Sequence, residues 1–231
     1  MKSIKDIYKI GRGPSSSHTM GPEKACRMLK EAYPTADRYT AVLYGSLALT
    51  GVGHGTDRVI RETLSPLRGE VVFDGKTGGL PHPHTMDISL SRGGDTPCRH
   101  RVLRIGGGDL LFEGEPMEIL PEVYAEKSFA EITGVCEARN MRIWQYVLQK
   151  EGEECFTYLS TVWNVMKDAV NRGLSTGGVL PGGLNTQRRA KIIYQKKHID
   201  ESPQTKENRL VCAYAFAVGE DMRHPIGVGK G

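Results

Sequence analysis

The sequence has no apolar run near the roughly 20 residues that cross a bilayer. Its first residues, Met1-Lys2-Ser3-Ile4-Lys5-Asp6, lack the apolar core of a secretory leader. The expectation is a cytoplasmic protein without membrane contact. Cysteine is scarce and scattered. Cys26, Cys98, Cys136, Cys155 and Cys212 form an odd set, and no two stand at the short spacing of a metal-ligand pair. All five read as reduced and structural, with Cys26 and Cys155 as small buried hydrophobes in helical patterns. Aromatics make up 7% of the chain and are not interleaved with its two basic clusters, Gln187-Arg188-Arg189-Ala190-Lys191 and Lys196-Lys197-His198. The net formal charge of the chain is only +4 and its other lysines and arginines are scattered, which argues against a nucleic-acid partner. Internal repeats, low-complexity tracts and heptad arrays are missing too.

What is present suits a folded globular protein: 231 residues, 39% hydrophobic and 25% charged, long enough for one large domain or two small ones. Residues 1–121 read as an α+β domain, a small mixed sheet with helices to one side. Pro22 opens a helix carrying Ala25, Met28, Leu29 and Ala32 on one face and ending before Pro34. Tyr39–Tyr44 is β-rich and leads into a glycine loop. Thr56 or Asp57 can cap a short helix through Val59, Ile60 and Leu64. Gly69–Phe73, Met86–Leu90 and Arg101–Ile105 read as strands. Beyond Pro121, within Glu118–Glu122, the pattern turns helical and residues 122–231 read as an all-α segment. Glu153–Leu174 places Phe156, Leu159, Trp163, Met166 and Val170 along one stripe, with Gly173 as a stop. Thr186–His198 and Glu207–Val218 are further helix candidates.

Two segments concentrate the chemistry. Ser15-Ser16-Ser17-His18-Thr19 runs into a helix start at Gly21-Pro22, where free amides and hydroxyls can receive an anion or can cap the helix. Gly53-His54-Gly55-Thr56-Asp57 sets an imidazole between glycines, fit for a general base or for a tight turn. Asp57 can fix the His54 tautomer or cap the following helix. Pro81-His82-Pro83-His84-Thr85-Met86 alternates two histidines, but two imidazoles with no Asp or Cys beside them hold a metal poorly. It reads as a wall or a domain contact. Ile105-Gly106-Gly107-Gly108-Asp109 fits neither a dinucleotide fingerprint nor a P-loop and reads as a bulged strand end. Leu180-Pro181-Gly182-Gly183 reads as a structural turn.

The segments Gly13–Pro22 and Leu43–Asp57 together resemble the amino-terminal β-domain of the iron–sulfur-dependent L-serine dehydratases (L-serine ammonia-lyases). The resemblance continues more weakly through Ile105–Gly108, Trp144–Val147 and Gly178–Leu184 to about Val218, with His84 where the family commonly has an asparagine and Arg104 where it has a serine. It implies a β-domain over residues 1–121, of a type related to allosteric substrate-binding domains, followed by the start of a helical α-domain. It also implies the conversion of L-serine to pyruvate and ammonia. His54 and His18 would be catalytic, and Ser15, Ser16, Ser17, Thr19, Gly53, Thr56 and Asp57 would bind substrate.

The same resemblance implies a 4Fe-4S cluster, but none of the five cysteines falls at a family ligand position and no metal ligand is assigned here. The chain reads as truncated before the cluster cysteines. Its implied partners are L-serine and either further copies of itself or a complementing α-domain chain. A second reading is a non-catalytic amino-acid-binding or assembly module, since fold alone does not fix function.

Overall fold

The computed structural model describes residues 1–13, 15–106, 109–116, 121–180, 185–196, 201–221 and 227–230. Strand β1 (Tyr8–Gly11) leads through a π-helical turn at Ser16–Met20 into α1 (Gly21–Ala32). Then come β2 (Arg38–Tyr44), α2 (Gly45–His54), α3 (Thr56–Leu64), β3 (Arg68–Asp74), β4 (Thr85–Ser91), β5 (Cys98–Gly106) and β6 (Asp109–Phe112). The five strands β2 to β6 form one mixed sheet in the order β3-β2-β4-β5-β6, with β2 parallel to β3 and every other pair antiparallel. The expected α+β class holds.

Alternation along the strands divides the sheet into two unlike faces. Tyr39, Ala41 and Leu43 of β2 and Met86, Ile88 and Leu90 of β4 pack with Cys26 and Leu29 of α1 and Ile60 and Leu64 of α3 in one core. The intervening positions carry a polar network. Asp87, buried on β4, accepts from Tyr44 Oη at 2.8 Å and from Arg101 Nε at 2.9 Å, and pairs with Arg99 as well. Burial pushes its carboxyl upward, but hydrogen bonds from Arg101, Arg99 and Tyr44 outweigh that and hold it below the ordinary aspartate range.

The helical part comprises α4 (Phe129–Ala138), α5 (Ile143–Glu151), α6 (Glu153–Ser175), α7 (Ala190–Gln195) and α8 (Pro203–Asp221), followed by β7 (Gly227–Lys230). Strand β7 pairs antiparallel with β1. The amino-terminal segment lies against these helices. The Met1 amino group donates to the Tyr124 carbonyl at 2.7 Å, and Glu151 accepts from the Ile4 amide at 2.7 Å and from Tyr124 Oη at 2.6 Å.

Several sequence expectations need correction. The buried stripe of α1 is Pro22, Ala25, Cys26 and Leu29, while Met28 is 43% exposed, because the helix lies on the sheet one position round from the expected face. The expected glycine loop after Tyr44 is the helix α2, which buries Leu47, Ala48 and Gly51. In α6 the buried residues are Cys155, Val162, Ala169 and Gly173, and Trp163 is 60% exposed. Gly173 does not stop this helix, which continues to Ser175. A Cβ there would stand 2.3 Å from the Ala217 carbonyl oxygen of α8, so glycine is what lets the two helices touch.

The Thr186–His198 candidate shrinks to Ala190–Gln195 because a bridge between Val179 and Gln187 holds the preceding residues extended. His198, like Pro181–Leu184 of the expected turn and Gly107 and Gly108, lies outside the described residues. The expected bulge at the end of β5 is there, as a register shift between Arg104 and Gly106. Cys26, Cys136 and Cys155 are buried free thiols, but Cys98 and Cys212 are exposed and so are not core residues.

Gly173→Ala is expected to lower stability by about 1–3 kcal/mol through overpacking, read as the shift in urea midpoint of α6–α8 unfolding. The depressed Asp87 carboxyl contributes stability in full above the unfolded aspartate value near 3.9 and loses it as pH falls through the lower folded value. Asp87→Asn should therefore be less stable than wild type at pH 7, and the gap in melting temperature should close as pH drops below about 4.

Candidate active site

The site forms where three short segments meet at one end of the sheet. The first is the π-helical turn before α1. Ser15 caps it, its Oγ accepting from the His18 amide at 3.2 Å. The wider turn swings His18 inward until it is 7% exposed, with Thr19 fully buried beside it.

The second segment is α2. Gly45 adopts φ +50°, and a Cβ there would stand 2.6 Å from the Pro83 carbonyl oxygen. Glycine at this position lets the chain leave β2 and enter the helix directly beneath the third segment, the loop His82-Pro83-His84 ahead of β4. The Ser46 amide donates to the Pro83 carbonyl at 2.9 Å and ties the two together.

Ser46, Thr50 and His54 follow at four-residue steps and so line one face of α2. His18 lies along that face. Its Nε2 is 2.9 Å from Thr50 Oγ1, 3.1 Å from Ser46 Oγ and 3.3 Å from the Ser46 carbonyl. The Thr50 hydroxyl already donates to the Ser46 carbonyl at 2.9 Å, so its oxygen is left to accept. This assigns the proton of His18 to Nε2. Nδ1 then accepts from one of the two hydroxyls nearby, Ser17 Oγ at 3.1 Å or Ser15 Oγ at 3.3 Å.

His54 takes the opposite tautomer. Its Nδ1 donates to the Thr50 carbonyl at 2.9 Å, one turn back on the same helix, which leaves the Nε2 lone pair available as a base. Its half-buried ring stacks on His18 with centroids 4.5 Å apart and planes 22° from parallel. His84 approaches His18 edge-on at 5.1 Å, and His82 stands 5.3 Å from His84. The four imidazoles make one continuous chain.

The structure thus brings Ser15, Ser17, His18 and His54 together. Ser16 and Gly53 flank them. Thr19 and Thr56 have another placement. Both are fully buried, and their hydroxyls cross between the two segments. Thr56 Oγ1 donates to the His18 carbonyl at 2.7 Å, and Thr19 Oγ1 reaches the His54 carbonyl at 3.5 Å. Neither Thr56 nor Asp57 caps α3 with its side chain; the cap position is Gly55. Asp57 pairs with Arg61 at 3.0 Å rather than with His54. Ser46, Thr50 and His84 were not singled out from the sequence as site residues. A Ser-x-x-x-Thr-x-x-x-His spacing would have found the first two, had α2 been read as a helix.

Metal ligands are a separate matter. Among the described residues no three His, Cys, Asp or Glu side chains are gathered so as to hold a metal ion. Cys26 is packed in the sheet core, where burial pushes its thiol up to about 12, away from the thiolate that an iron–sulfur cluster requires. Burial raises the Cys155 thiol as well. These cysteines do not fit a cluster.

Residues 3–72, which contain both His18 and His54, match the family model of the serine dehydratase beta chain. Over 96% of its length the chain is 30% identical to L-serine dehydratase 1 of Escherichia coli K12, and over 95% it is 50% identical to an L-serine dehydratase of Helicobacter pylori J99. An L-serine dehydratase of Streptomyces coelicolor is 28% identical over 95% of the chain. The chain spans about 60% of the length of each of these relatives.

If Thr56 is what joins the two histidine segments, Thr56→Val should cost about 1–3 kcal/mol, because the buried His18 carbonyl loses its donor. The measurement is the shift in chemical denaturation midpoint.

Proposed function

We propose, for a chain whose residues 3–72 are a serine dehydratase beta-chain region, that it supplies the proton-transfer and substrate-positioning half of an L-serine dehydratase. The observation that carries this reading is the stacked His18–His54 pair with opposite tautomers. The half-buried ring of His54 keeps a lone pair at Nε2, while the buried ring of His18 is surrounded by hydroxyls.

The reaction eliminates water from L-serine. Nε2 of His54 takes the α-proton, the electron pair forms the Cα–Cβ double bond, and the C–O bond breaks as the β-hydroxyl receives that proton back from the His54 imidazolium and leaves as water. The resulting 2-aminoacrylate tautomerises to an imine, and a second water hydrolyses it to pyruvate and ammonia. The Thr50 carbonyl keeps His54 Nδ1 protonated, so that the lone pair stays at Nε2. It also stabilises the imidazolium that forms. His18 takes one of the two nearby serine protons at Nδ1, and the other of the Ser15 and Ser17 hydroxyls is left to donate to the substrate carboxylate.

Among the described residues no three candidate ligands, cysteines included, are gathered to hold a cluster, and no step is drawn through one. The group that activates the leaving hydroxyl would come from a helical α-domain partner. A cytoplasmic setting fits the absence, among the described residues, of any helix long and apolar enough to cross a membrane.

The test is pyruvate formation from L-serine by the chain combined with an α-domain polypeptide. His54→Ala should lower kcat by about 100-fold to 10,000-fold, the usual cost of losing a general base, with a smaller change in KM. His18→Ala should raise KM as well. If folded His54→Ala, checked by its melting temperature, keeps near-normal turnover, the assignment of the base is wrong.

A further inference from the structure

The wall of the site contains a residue to which the reaction above gives no part. His84 stands edge-on to His18 at 5.1 Å, on the loop that enters β4. We propose that His84 is a positioning residue for the His18–His54 pair, fixing the ring on which His54 stacks and so the direction of the His54 base. The proposal rests on the functional reading above.

Three observations carry it. The first is how His54 is held. Its ring is half-buried, and its side chain is anchored by the Nδ1 bond to the Thr50 carbonyl and by the stack on His18. A stacked ring is no better fixed than the ring beneath it. The second is that the hydrogen bonds at Nδ1 and Nε2 hold the two nitrogens of His18 but leave the tilt of the ring about the line between them to packing. A ring packed against His18 sets that tilt, since edge-to-face pairs favour one mutual orientation.

The third observation is that His84 is itself firmly mounted. Its amide donates to His82 Nδ1 at 3.0 Å, and the fully buried Thr85 donates its hydroxyl back to the His82 carbonyl at 2.5 Å. The Pro83 carbonyl accepts from the Ser46 amide, and Ser46 is the residue whose hydroxyl and carbonyl face His18 Nε2. His84 and His18 are therefore referenced to one point on α2. A displacement of the His82–His84 loop is felt at His18 from two sides, through the ring contact and through Ser46.

The test uses the 231-residue chain with labelled histidines, and reads the ring-to-ring NOE between His18 and His54. Wild type should show it. His84→Ala should lose it while amide signals of the sheet stay in place, and His84→Phe, which keeps an aromatic edge without a titrating group, should restore it. A folded His84→Ala chain with the NOE intact overturns the proposal. So does loss of the NOE in a folded His84→Phe chain, which would make the contact something other than ring packing.

In the combined enzyme, His84→Ala should lower kcat roughly tenfold to a hundredfold, the scale of a misaligned reacting group, with a smaller rise in KM passed through His18 to the serine hydroxyls. His84→Phe should recover most of it. If wild type makes no pyruvate in any combination, the functional reading fails, while the NOE comparison still decides the role of His84.

Discussion

The contact on which the site depends is the approach of the α2 amino terminus to the Pro83 carbonyl. Gly45 takes a left-handed conformation in which no side chain would fit, and the Ser46 amide closes the gap with a hydrogen bond. This fixes where α2 starts relative to β4. Because an α-helix is rigid over ten residues, it also fixes Thr50 and His54 one and two turns further on. The loop carrying His84 and the helix carrying His54 are thus placed by one junction, and His18 fills the space between them.

The sheet supports this junction asymmetrically. Its helix-covered face is a conventional apolar core, built from the odd-numbered positions of β2 and the even-numbered positions of β4. Its other face holds a buried aspartate neutralised by two arginines and a tyrosine. The two meet at Tyr44 and Asp87, one at the end of β2 and the other two residues into β4. An ion pair bridging β4 and β5 and a hydrogen bond bridging β4 and β2 lock the strands whose ends carry the site. Truncating one partner of such a network costs more than the network contributes as a whole, since the other charges are left unmatched.

The helical part obeys a different rule. Helix α8 buries only Ala213, Ala217 and Glu220, while Val211, Tyr214, Phe216 and Val218 stay exposed. Its contact with α6 is backbone against backbone at Gly173 and Ala217, made by small residues rather than by interdigitated large ones. Buried Glu220 spends its carboxylate on the amides of Arg189 and Ala190 at the start of α7. The same economy explains why the stripe of large residues along α6 does not mark its buried face. Size and hydrophobicity point to Phe156 and Trp163, but close approach selects Cys155, Val162, Ala169 and Gly173.

The sequence by itself determined the α+β class, the strands β2 to β5, the helical character after Pro121 and the setting of His18 and His54 among glycines and hydroxyls. These follow from periodicity and from glycine and hydroxyl content, which are local properties. Only the tertiary structure decided that the residues after Tyr44 are helical, because Leu47, Ala48 and Gly51 have somewhere to be buried only once β3 and α3 are in place. Tertiary contacts also set the His18 tautomer through Thr50, turned Thr19 and Thr56 inward as struts and brought His84 into T-shaped contact with His18. Each depends on which groups a side chain meets across 30 or more residues of chain, and no local pattern encodes that meeting, whereas the Asp57–Arg61 pair and the His54–Thr50 bond are four-residue contacts within a single helix. The physical reason is that imidazoles and hydroxyls are promiscuous hydrogen-bonding groups whose roles are set by their neighbours, and those neighbours are assigned by packing.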